Sequence, residues 1–271
     1  MDPSAVASEL CDLHARAGLA RPFTARDPGF TPASGYAAAR HLHARRLAAG
    51  WQPVGRKIGF TNRSLWPRYG VFEPIWGTVY DRTLTRAVGN RAQVSLAGLV
   101  QPRIEPEICF GLKAPPPPGS RTGRNPEVLL GAIEWIAHSV EIVQCHHPEW
   151  KFTLADCTAE NGRHGHLVLG TPVALGRISG LAAALPLLKV ALSCNGEVRD
   201  RGLASVVLDS PLMALAHLIE VLASQPDAAP LRAGEIISTG TLTDAHPVKP
   251  GETWSTDLHG FAVRGMEISF T

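Results

Sequence analysis

The chain has 271 residues, of which 45% are apolar and 18% charged, and its formal net charge is +2. This composition is typical of a folded globular protein, and the balanced charge with scattered arginines argues against a nucleic-acid partner. No apolar run approaches the roughly 20 residues needed to cross a bilayer, so we expect no membrane association.

The first ~50 residues have the apolar spacing of helices. One helical face carries Val6, Leu10, Leu13 and Ala17. Gly18 follows as a C-cap, and a second helix is predicted over Ser34–Ala49, with Arg21–Pro32 as the connector. Residues 1–18 include acidic side chains and lack a continuous apolar stretch, so we do not expect a signal peptide.

From residue 54 onward, short apolar segments alternate with glycine and proline, which is typical of strands and loops. The predicted strands are Val54–Phe60, Gly77–Tyr80, Val94–Leu99 and Ile104–Leu112. Lys113–Pro126 holds four consecutive prolines and is predicted to be a polar surface loop. Pro126 then begins a predicted helix that ends near His138, and a strand is predicted over Val140–Val143.

A last helix is predicted after Ser210, which can cap it. Its buried face consists of Leu212, Leu215, Leu218, Ile219 and Leu222. A strand over Glu235–Ser238 and an alternating C-terminal region follow, and no internal repeat is present. We therefore predict an α+β fold, in which a helical N-terminal segment, residues 1–53, packs on a β-rich body, residues 54–271.

Two glutamates, Glu105 and Glu107, alternate with apolar residues along one predicted strand. Alternation places both carboxylates on one face, with their Cα atoms about 6.6 Å apart. Like charges so close repel each other unless a cation lies between them. On this pattern alone, a solvated face or pairing with Arg103 is the simpler interpretation. Pro106 lacks a ladder donor, which predicts an edge strand or a bulge.

Glu141 lies in an apolar segment, where a buried carboxylate needs a partner. If it faces the other two glutamates, three hard oxygen ligands converge, and such a set favours Mg²⁺, Mn²⁺ or Ca²⁺ over Zn²⁺. The histidines show no zinc-binding spacing. The five cysteines form no C-x-x-C pair and are predicted to be reduced thiols of a cytoplasmic protein.

Segments along almost the whole chain resemble, in order, the motifs of one family. They are Gly55–Thr61, Gly70–Gly77, Pro102–Ile108, Glu141–Val143, Trp150–Phe152, Ala159–Asn161, Asn195–Val198, Ala233–Ile237, Thr239–Thr243 and Pro247–Glu252. Gly55–Thr61 is similar to a G-x-K-x-G-[LF]-T motif, and Pro102–Ile108 to a metal-binding strand, P-[KR]-[IV]-E-x-E-I. The chain thus resembles the 2-hydroxypenta-2,4-dienoate (2-keto-4-pentenoate) hydratase / 4-oxalocrotonate decarboxylase family of the fumarylacetoacetase superfamily.

The resemblance implies a divalent-metal-dependent lyase with a fumarylacetoacetase-like mixed sheet, and its family members are homo-oligomers. It implies that a small 2-oxo or 2-hydroxydienoic acid chelates Mg²⁺ or Mn²⁺ through its carboxylate and 2-oxo oxygen. The metal then stabilises the enolate. The implied metal ligands are Glu105, Glu107 and Glu141. Lys57 matches the active-site lysine, Thr241 matches a position near the substrate carboxylate, and Glu73 and Lys151 are further catalytic candidates within matching segments.

Three segments depart from the family pattern. Ile75 replaces the Asp of hydratases with an apolar residue, as in decarboxylases, which favours decarboxylation or an altered substrate. Gln144 and the two residues after it stand where the family has Ser-Arg, so an arginine able to pair with a second substrate carboxylate is missing. Arg163 and His164 replace small polar groups, are predicted to bind substrate, and are candidates to replace that arginine.

Two other functions stay open at this point. The first is an acylpyruvate-type C–C bond hydrolase, in which His164 or His146 would help to activate water. The second is a non-catalytic subunit that binds a 2-oxo acid or forms a complex, because Ile75 could mean weakened chemistry.

Overall fold

The computed structural model describes residues 1–116, 124–178, 180–225, 227–260 and 262–271. The predicted proline-rich loop falls partly on residues 117–123, which lie outside the described residues. The helices are α1 Pro3–Arg16, α2 Phe23–Arg26, α3 Pro32–Ala48, α4 Trp66–Tyr69, α5 Pro126–Ala132, α6 Leu154–Ala159, α7 Leu181–Ala184 and α8 Pro211–Ser224. Among the described helices, none combines the length and apolar character needed to span a membrane.

The strands are β1 Pro53–Gly59, β2 Ile75–Tyr80, β3 Leu84–Arg86, β4 Arg91–Val94, β5 Arg103–Leu112, β6 Ile133–Val143, β7 His164–Leu169, β8 Val173–Ala174, β9 Lys189–Cys194, β10 Glu197–Leu203, β11 Ile236–Thr241, β12 His246–Pro247, β13 Thr253–His259 and β14 Glu267–Phe270. They form two mixed sheets. The larger has the order β2-β1-β11-β5-β6-β7-β3, with β12 on β5 and β8 on β6, and the smaller has the order β10-β9-β13-β14-β4. The predicted α+β class is therefore confirmed.

The N-terminal helices share a core with the β-rich body. Leu10 and Leu13 of α1 pack in one buried cluster with Ala155 and Ala159 of α6. Helix α3 approaches α6 closely at Gly35, where an added Cβ would lie 2.0 Å from a side-chain oxygen of α6. This packing fixes the segment that follows α6, which lines the candidate site described below.

Helix α1 ends earlier than its apolar pattern predicts. The Asp2 carboxylate accepts a hydrogen bond from the Ala5 N–H at its start. Ala17 was predicted on the buried face, but it is an exposed C-cap with φ of 48°. Gly18, the predicted C-cap, lies one residue beyond the observed one, and its N–H donates to the Leu13 carbonyl. The left-handed turn at Ala17 thus satisfies the last carbonyls of the helix.

Two predicted element boundaries are wrong. Helix α5 ends at Ala132, and the residues predicted to continue it up to His138 belong to β6. A continuous apolar run fits a buried helix as well as a buried strand that is paired along both edges. Here β6 pairs with β5 and β7, so the run forms a strand. The strand predicted over Val94–Leu99 ends at Val94, because its pairing with β14 ends there.

Pro106 lies in a central strand rather than at an edge, because β5 pairs with both β11 and β6. The missing N–H of Pro106 predicts an irregularity, and this irregularity occurs in the neighbouring strand, β11. Strand β11 carries one extra residue between Ser238 and Thr241, which face Cys109 and Glu107. This bulge brings the Gly240 N–H of β11 to the carboxylate of Glu107 on β5.

Candidate metal centre and active site

The three predicted metal ligands converge. Glu105 on β5 lies directly opposite Glu141 on the antiparallel β6, and Glu107 lies two residues along the same face of β5. One carboxylate oxygen of each residue lies within 4.8 Å of those of the other two. Alternation along one strand and pairing with the next therefore place three carboxylates around one point.

The charge balance of this cluster fits a bound divalent cation. Burial and the neighbouring carboxylates raise the pKa of Glu105 to about 7 and raise the pKa of Glu107 well above its usual value. Glu107 Oε1 and Glu141 Oε2 are buried and accept no hydrogen bond from the described residues. Hard carboxylate oxygens in a buried acidic cluster, two of them without a hydrogen bond, are the ligand set that Mg²⁺ and Mn²⁺ prefer.

The bulge in β11 fixes Glu107. Ser238 Oγ and the Gly240 N–H, at 2.9 Å, both donate to Glu107 Oε2, which leaves Oε1 free. Gly240 has φ of 103°, and an added Cβ would lie 1.9 Å from Thr61 Oγ1. Only glycine fits this conformation and space. Ser238 was missed in the sequence, because its role depends on the pairing of β11 with β5.

His164 holds Glu141 from behind. Its Nδ1 lies 2.8 Å from Glu141 Oε1, and its Nε2 lies 2.8 Å from Thr83 Oγ1. Burial lowers the pKa of His164, so a neutral ring that donates from Nδ1 fits this position. The ring does not line the candidate cavity, so His164 lies behind a candidate metal ligand and not at the predicted substrate contact.

Lys57 is buried beside the cluster. Its Nζ lies 3.2 Å from Glu141 Oε2 and donates to the Gly162 carbonyl at 2.9 Å. Burial alone would lower the pKa of Lys57, but the three carboxylates outweigh burial and raise it. The side chain is thus an ammonium group held at the candidate metal site.

A cavity opens above this cluster. Lys57, Glu105 and Thr241 form its metal end, and Ile75 also lines it. An aromatic wall of Phe60, Tyr69, Trp150 and Phe152 bounds it as well, with the Tyr69 and Phe152 rings stacked at 5.3 Å. Arg163 completes this part of the lining. Four predicted residues, Lys57, Ile75, Arg163 and Thr241, therefore meet in one cavity with the candidate metal ligand Glu105.

Two predicted catalytic candidates lie elsewhere. Glu73 is exposed and does not line the cavity. The Lys151 side chain is 78% exposed and pairs with Glu149, although its neighbours Trp150 and Phe152 face the cavity. Alternation along the segment turns Lys151 outward, so the match to a family motif did not indicate which side chain faces the site.

Curled mixed sheets that hold a buried carboxylate cluster, with a lysine beside it, define a metal-dependent enzyme of the fumarylacetoacetase fold. A fumarylpyruvate hydrolase from Pseudomonas aeruginosa, solved with Mn²⁺ and pyruvate, superimposes with a TM-score of 0.60 at 12% identity, over 80% of this chain and 88% of that chain. At that identity the likeness concerns the fold alone. No family model matches the chain.

Relatives define the family more closely. The chain is 31% identical to a 2-hydroxyhexa-2,4-dienoate hydratase from Comamonas testosteroni over 92% of this chain and 90% of the relative. It is 32% identical to a 4-oxalocrotonate decarboxylase from a Pseudomonas species over 93% and 92% of the two chains. The structure of a 4-oxalocrotonate decarboxylase from Pseudomonas putida G7, complexed with magnesium and adipate, superimposes with a TM-score of 0.88 at 27% identity, over 99% and 97% of the two chains.

The chain belongs to the 2-keto-4-pentenoate hydratase / 4-oxalocrotonate decarboxylase family, whose members are metal-dependent lyases. The predicted family, fold and enzyme class are thereby confirmed. The predicted divalent-metal cofactor agrees with the magnesium complex of the related decarboxylase and with the buried carboxylate cluster.

Proposed function

We propose that this protein is a lyase that acts on a small 2-oxo acid and, of the two family reactions, favours decarboxylation. The observation that carries the proposal is the position of Lys57, whose Nζ lies 3.2 Å from Glu141 Oε2 at the end of the cavity where three carboxylates converge. The carboxylate and 2-oxo oxygens of a 2-oxo acid can together chelate a metal held there.

The glutamates would hold Mg²⁺ or Mn²⁺, which when bound supplies a Lewis acid for negative charge on the 2-oxo oxygen. Thr241 lines the same end and is placed to border the substrate carboxylate. Lys57 carries a proton, because the carboxylates raise its pKa, and can deliver that proton to the product. Its bond to the Gly162 carbonyl keeps Nζ pointing at this position.

Ile75 supports decarboxylation over hydration. It is 3% exposed and lines the cavity, where an apolar side chain cannot activate water and desolvates a carboxylate that leaves. In this reaction the bond between the substrate carbon and its distal carboxylate breaks. The electron pair passes along the conjugated chain to the 2-oxo oxygen, CO₂ leaves, and Lys57 returns one proton to the product.

The hydrolase alternative is less well supported, because none of the described residues that line the cavity is a histidine. His164 is engaged with Glu141, and His146 is buried near Glu160. The non-catalytic alternative is disfavoured by the complete set of Lys57 and three glutamates.

We also propose that the protein is a cytoplasmic homo-oligomer. The five free cysteines support a reducing compartment, and the family resemblance supports the oligomer.

The test incubates the protein with Mg²⁺ and 2-hydroxydienoates with and without a terminal carboxylate. Loss of ultraviolet absorbance with CO₂ release is expected; loss without CO₂ would identify a hydratase instead. Glu107→Gln should abolish both activity and calorimetric Mn²⁺ binding, whereas the exposed Glu149→Gln, a matched control, should change neither. Unchanged activity in Glu107→Gln would show that the proposed site is wrong.

A further inference from the structure

We propose that His164, held by Thr83, is a positioning residue that leaves only one oxygen of Glu141 for the metal and so shifts the preference of the site toward Mg²⁺ and away from Ca²⁺. The proposal rests on the part of the proposed function that places a divalent cation at the three glutamates. It assigns a role in cation selection to a buried histidine that does not line the cavity.

The two carboxylate oxygens of Glu141 have different surroundings. Oε1 lies 2.8 Å from His164 Nδ1, and both side chains are fully buried. Oε2 accepts no hydrogen bond from the described residues. A carboxylate that binds a cation carries no proton, so the hydrogen in the contact with Oε1 belongs to His164 Nδ1. Because Oε1 is engaged by this donor, Oε2 is the oxygen left for a cation.

Thr83 sets the tautomer of the His164 ring. With its proton on Nδ1, the ring must accept at Nε2, which lies 2.8 Å from Thr83 Oγ1. The Thr83 hydroxyl therefore donates to the ring rather than to the Tyr80 carbonyl, its longer contact at 3.2 Å. Thr83 lies in the short turn between β2 and β3 and does not line the cavity. Partners of this kind, placed behind a metal ligand, fix its orientation and tune metal affinity.

One extra residue in β7 turns His164 toward Glu141. Between His164 and His166, β7 advances by two residues while β6 advances by one. Gly165 is the extra residue, and an added Cβ there would lie 2.6 Å from the Ile142 carbonyl oxygen. Regular alternation would put both histidines on one face of the sheet. The bulge instead puts His164 on the face of Glu141 and His166 on the opposite face.

A second threonine–histidine pair lies beside the first. Thr85 Oγ1 lies 2.8 Å from His166 Nε2, the same distance as between Thr83 and His164. The register of β7 places His166 away from the glutamates. The Thr85–His166 pair therefore has the same hydrogen bond without the metal ligand, and it serves as an internal control.

Glutamates that each offer one oxygen favour a small cation. Glu107 has the same arrangement as Glu141, because its Oε2 accepts from Ser238 and Gly240 while its Oε1 accepts no hydrogen bond from the described residues. Mg²⁺ demands near-ideal octahedral geometry and keeps several waters, whereas Ca²⁺ takes roughly 6 to 8 oxygens and often both oxygens of one carboxylate. Holding Glu141 to one oxygen therefore penalises Ca²⁺ more than Mg²⁺.

The test measures the dissociation constants of Mg²⁺ and Ca²⁺ for the full-length protein, by calorimetric displacement of bound Mn²⁺. His164→Leu should weaken Mg²⁺ binding by about 10- to 100-fold, the usual cost of losing a partner behind a metal ligand. Ca²⁺ binding should weaken less, because the freed Oε1 can join the coordination of Ca²⁺. The ratio of the two constants should thus shift toward Ca²⁺ by about tenfold, whereas a merely structural role would weaken both equally.

Conservative and matched variants separate positioning from general damage. His164→Asn should recover much of the Mg²⁺ preference, because its amide nitrogen can replace Nδ1 as the donor. Thr83→Val should shift the ratio in the same direction as His164→Leu, and Thr83→Ser should match wild type. Thr85→Val removes an equivalent bond from His166 and should leave both constants unchanged.

An unchanged ratio in folded His164→Leu would overturn the proposal, and so would equal shifts in Thr83→Val and Thr85→Val. If His164→Leu does not fold, the half-buried Thr83 still decides the question through its Val and Ser variants. If wild type binds neither cation, the metal site of the proposed function fails and this assignment fails with it. If wild type binds both cations and no variant changes the ratio, only the assignment of His164 fails.

Discussion

Lys57 Nζ lies 3.2 Å from Glu141 Oε2, so an ammonium group contacts a buried oxygen of a proposed metal ligand. Glu141 also binds His164 through its other oxygen. The same carboxylate thus connects the proposed proton donor, the proposed metal position and the histidine on β7 behind it. A substitution at Lys57 can therefore test whether proton transfer and metal binding depend on different residues.

Lys57→Met should lower turnover by about 10²- to 10⁴-fold, the usual contribution of a general acid. Metal affinity should stay the same or increase, because the substitution removes a positive charge beside the carboxylates. Steady-state kinetics and Mn²⁺ calorimetry measure the two effects separately, with the exposed Lys249→Met as a control. A parallel loss of metal binding would mean that Lys57 holds the cluster together and would argue against proton transfer.

Gly240→Ala should weaken metal binding by at least about tenfold, as expected when a hydrogen bond to a charged ligand is lost. Its Cβ would lie 1.9 Å from Thr61 Oγ1, so the bulge must shift and carry the N–H away from Glu107. Gly234→Ala is the matched control, since Gly234 also has a positive φ, of 86°, but has open space around it. It should cost only about 1 kcal/mol of stability. Equal metal affinities in both variants would show that the bulge does not support metal binding.

Ile75→Asp should raise the ratio of hydrated product to CO₂, because a carboxylate in the cavity can activate water. Total turnover should fall, since the substitution buries a charge at a position that is 3% exposed. Ile75→Val is the control and should keep the wild-type ratio. Chromatography of the products together with CO₂ measurement gives the ratio, and an unchanged value in Ile75→Asp would show that Ile75 does not select the reaction.

The free energy of unfolding should fall as the pH decreases from about 6.5 to 4. Burial lowers the pKa of His14 and of His166 to about 4, so these rings stay neutral in the folded state. The unfolded chain takes up protons near pH 6.5 and gains stability relative to the folded state, and below pH 4 both states are protonated at these residues. Each histidine contributes on the order of 3 kcal/mol at most over this interval.

Urea unfolding at several pH values tests this dependence. The double variant His14→Gln, His166→Gln should show a smaller loss of stability between pH 6.5 and 4 than wild type. The comparison uses the change with pH, so a uniform loss of stability from the substitutions does not affect it. Equal pH dependence in the two proteins would mean that neither ring stays neutral in the folded state.

Much of the metal site could be predicted because its signals are local. Alternation along one strand placed Glu105 and Glu107 on the same face, and the apolar surroundings of Glu141 indicated a buried carboxylate. Local pattern alone did not favour a metal over solvent for these residues. The ordered resemblance across the chain reversed that weighting, because it supplied the information that the three glutamates lie together.

What the sequence did not predict depends on contacts between distant segments. Ser238 binds Glu107 only because β11 lies beside β5 and carries a bulge. The error at His138 has the same origin, since pairing with two neighbouring strands extends β6 over a run that also fits a helix. Lys151 lies in a matching motif and His164 follows one closely, but backbone direction turns both away from the cavity.

The parallel pairing of β1 with β11 has a consequence for folding kinetics. It sets Lys57 beside Ser238, so residues from both ends of the chain must meet before Lys57 and the hydrogen bonds to Glu107 complete the proposed cation site. Such a long loop closes slowly, and no early intermediate that lacks β11 can bind the metal with native affinity. Added Mg²⁺ should therefore retard unfolding of the finished protein and leave the rate of chain collapse unchanged.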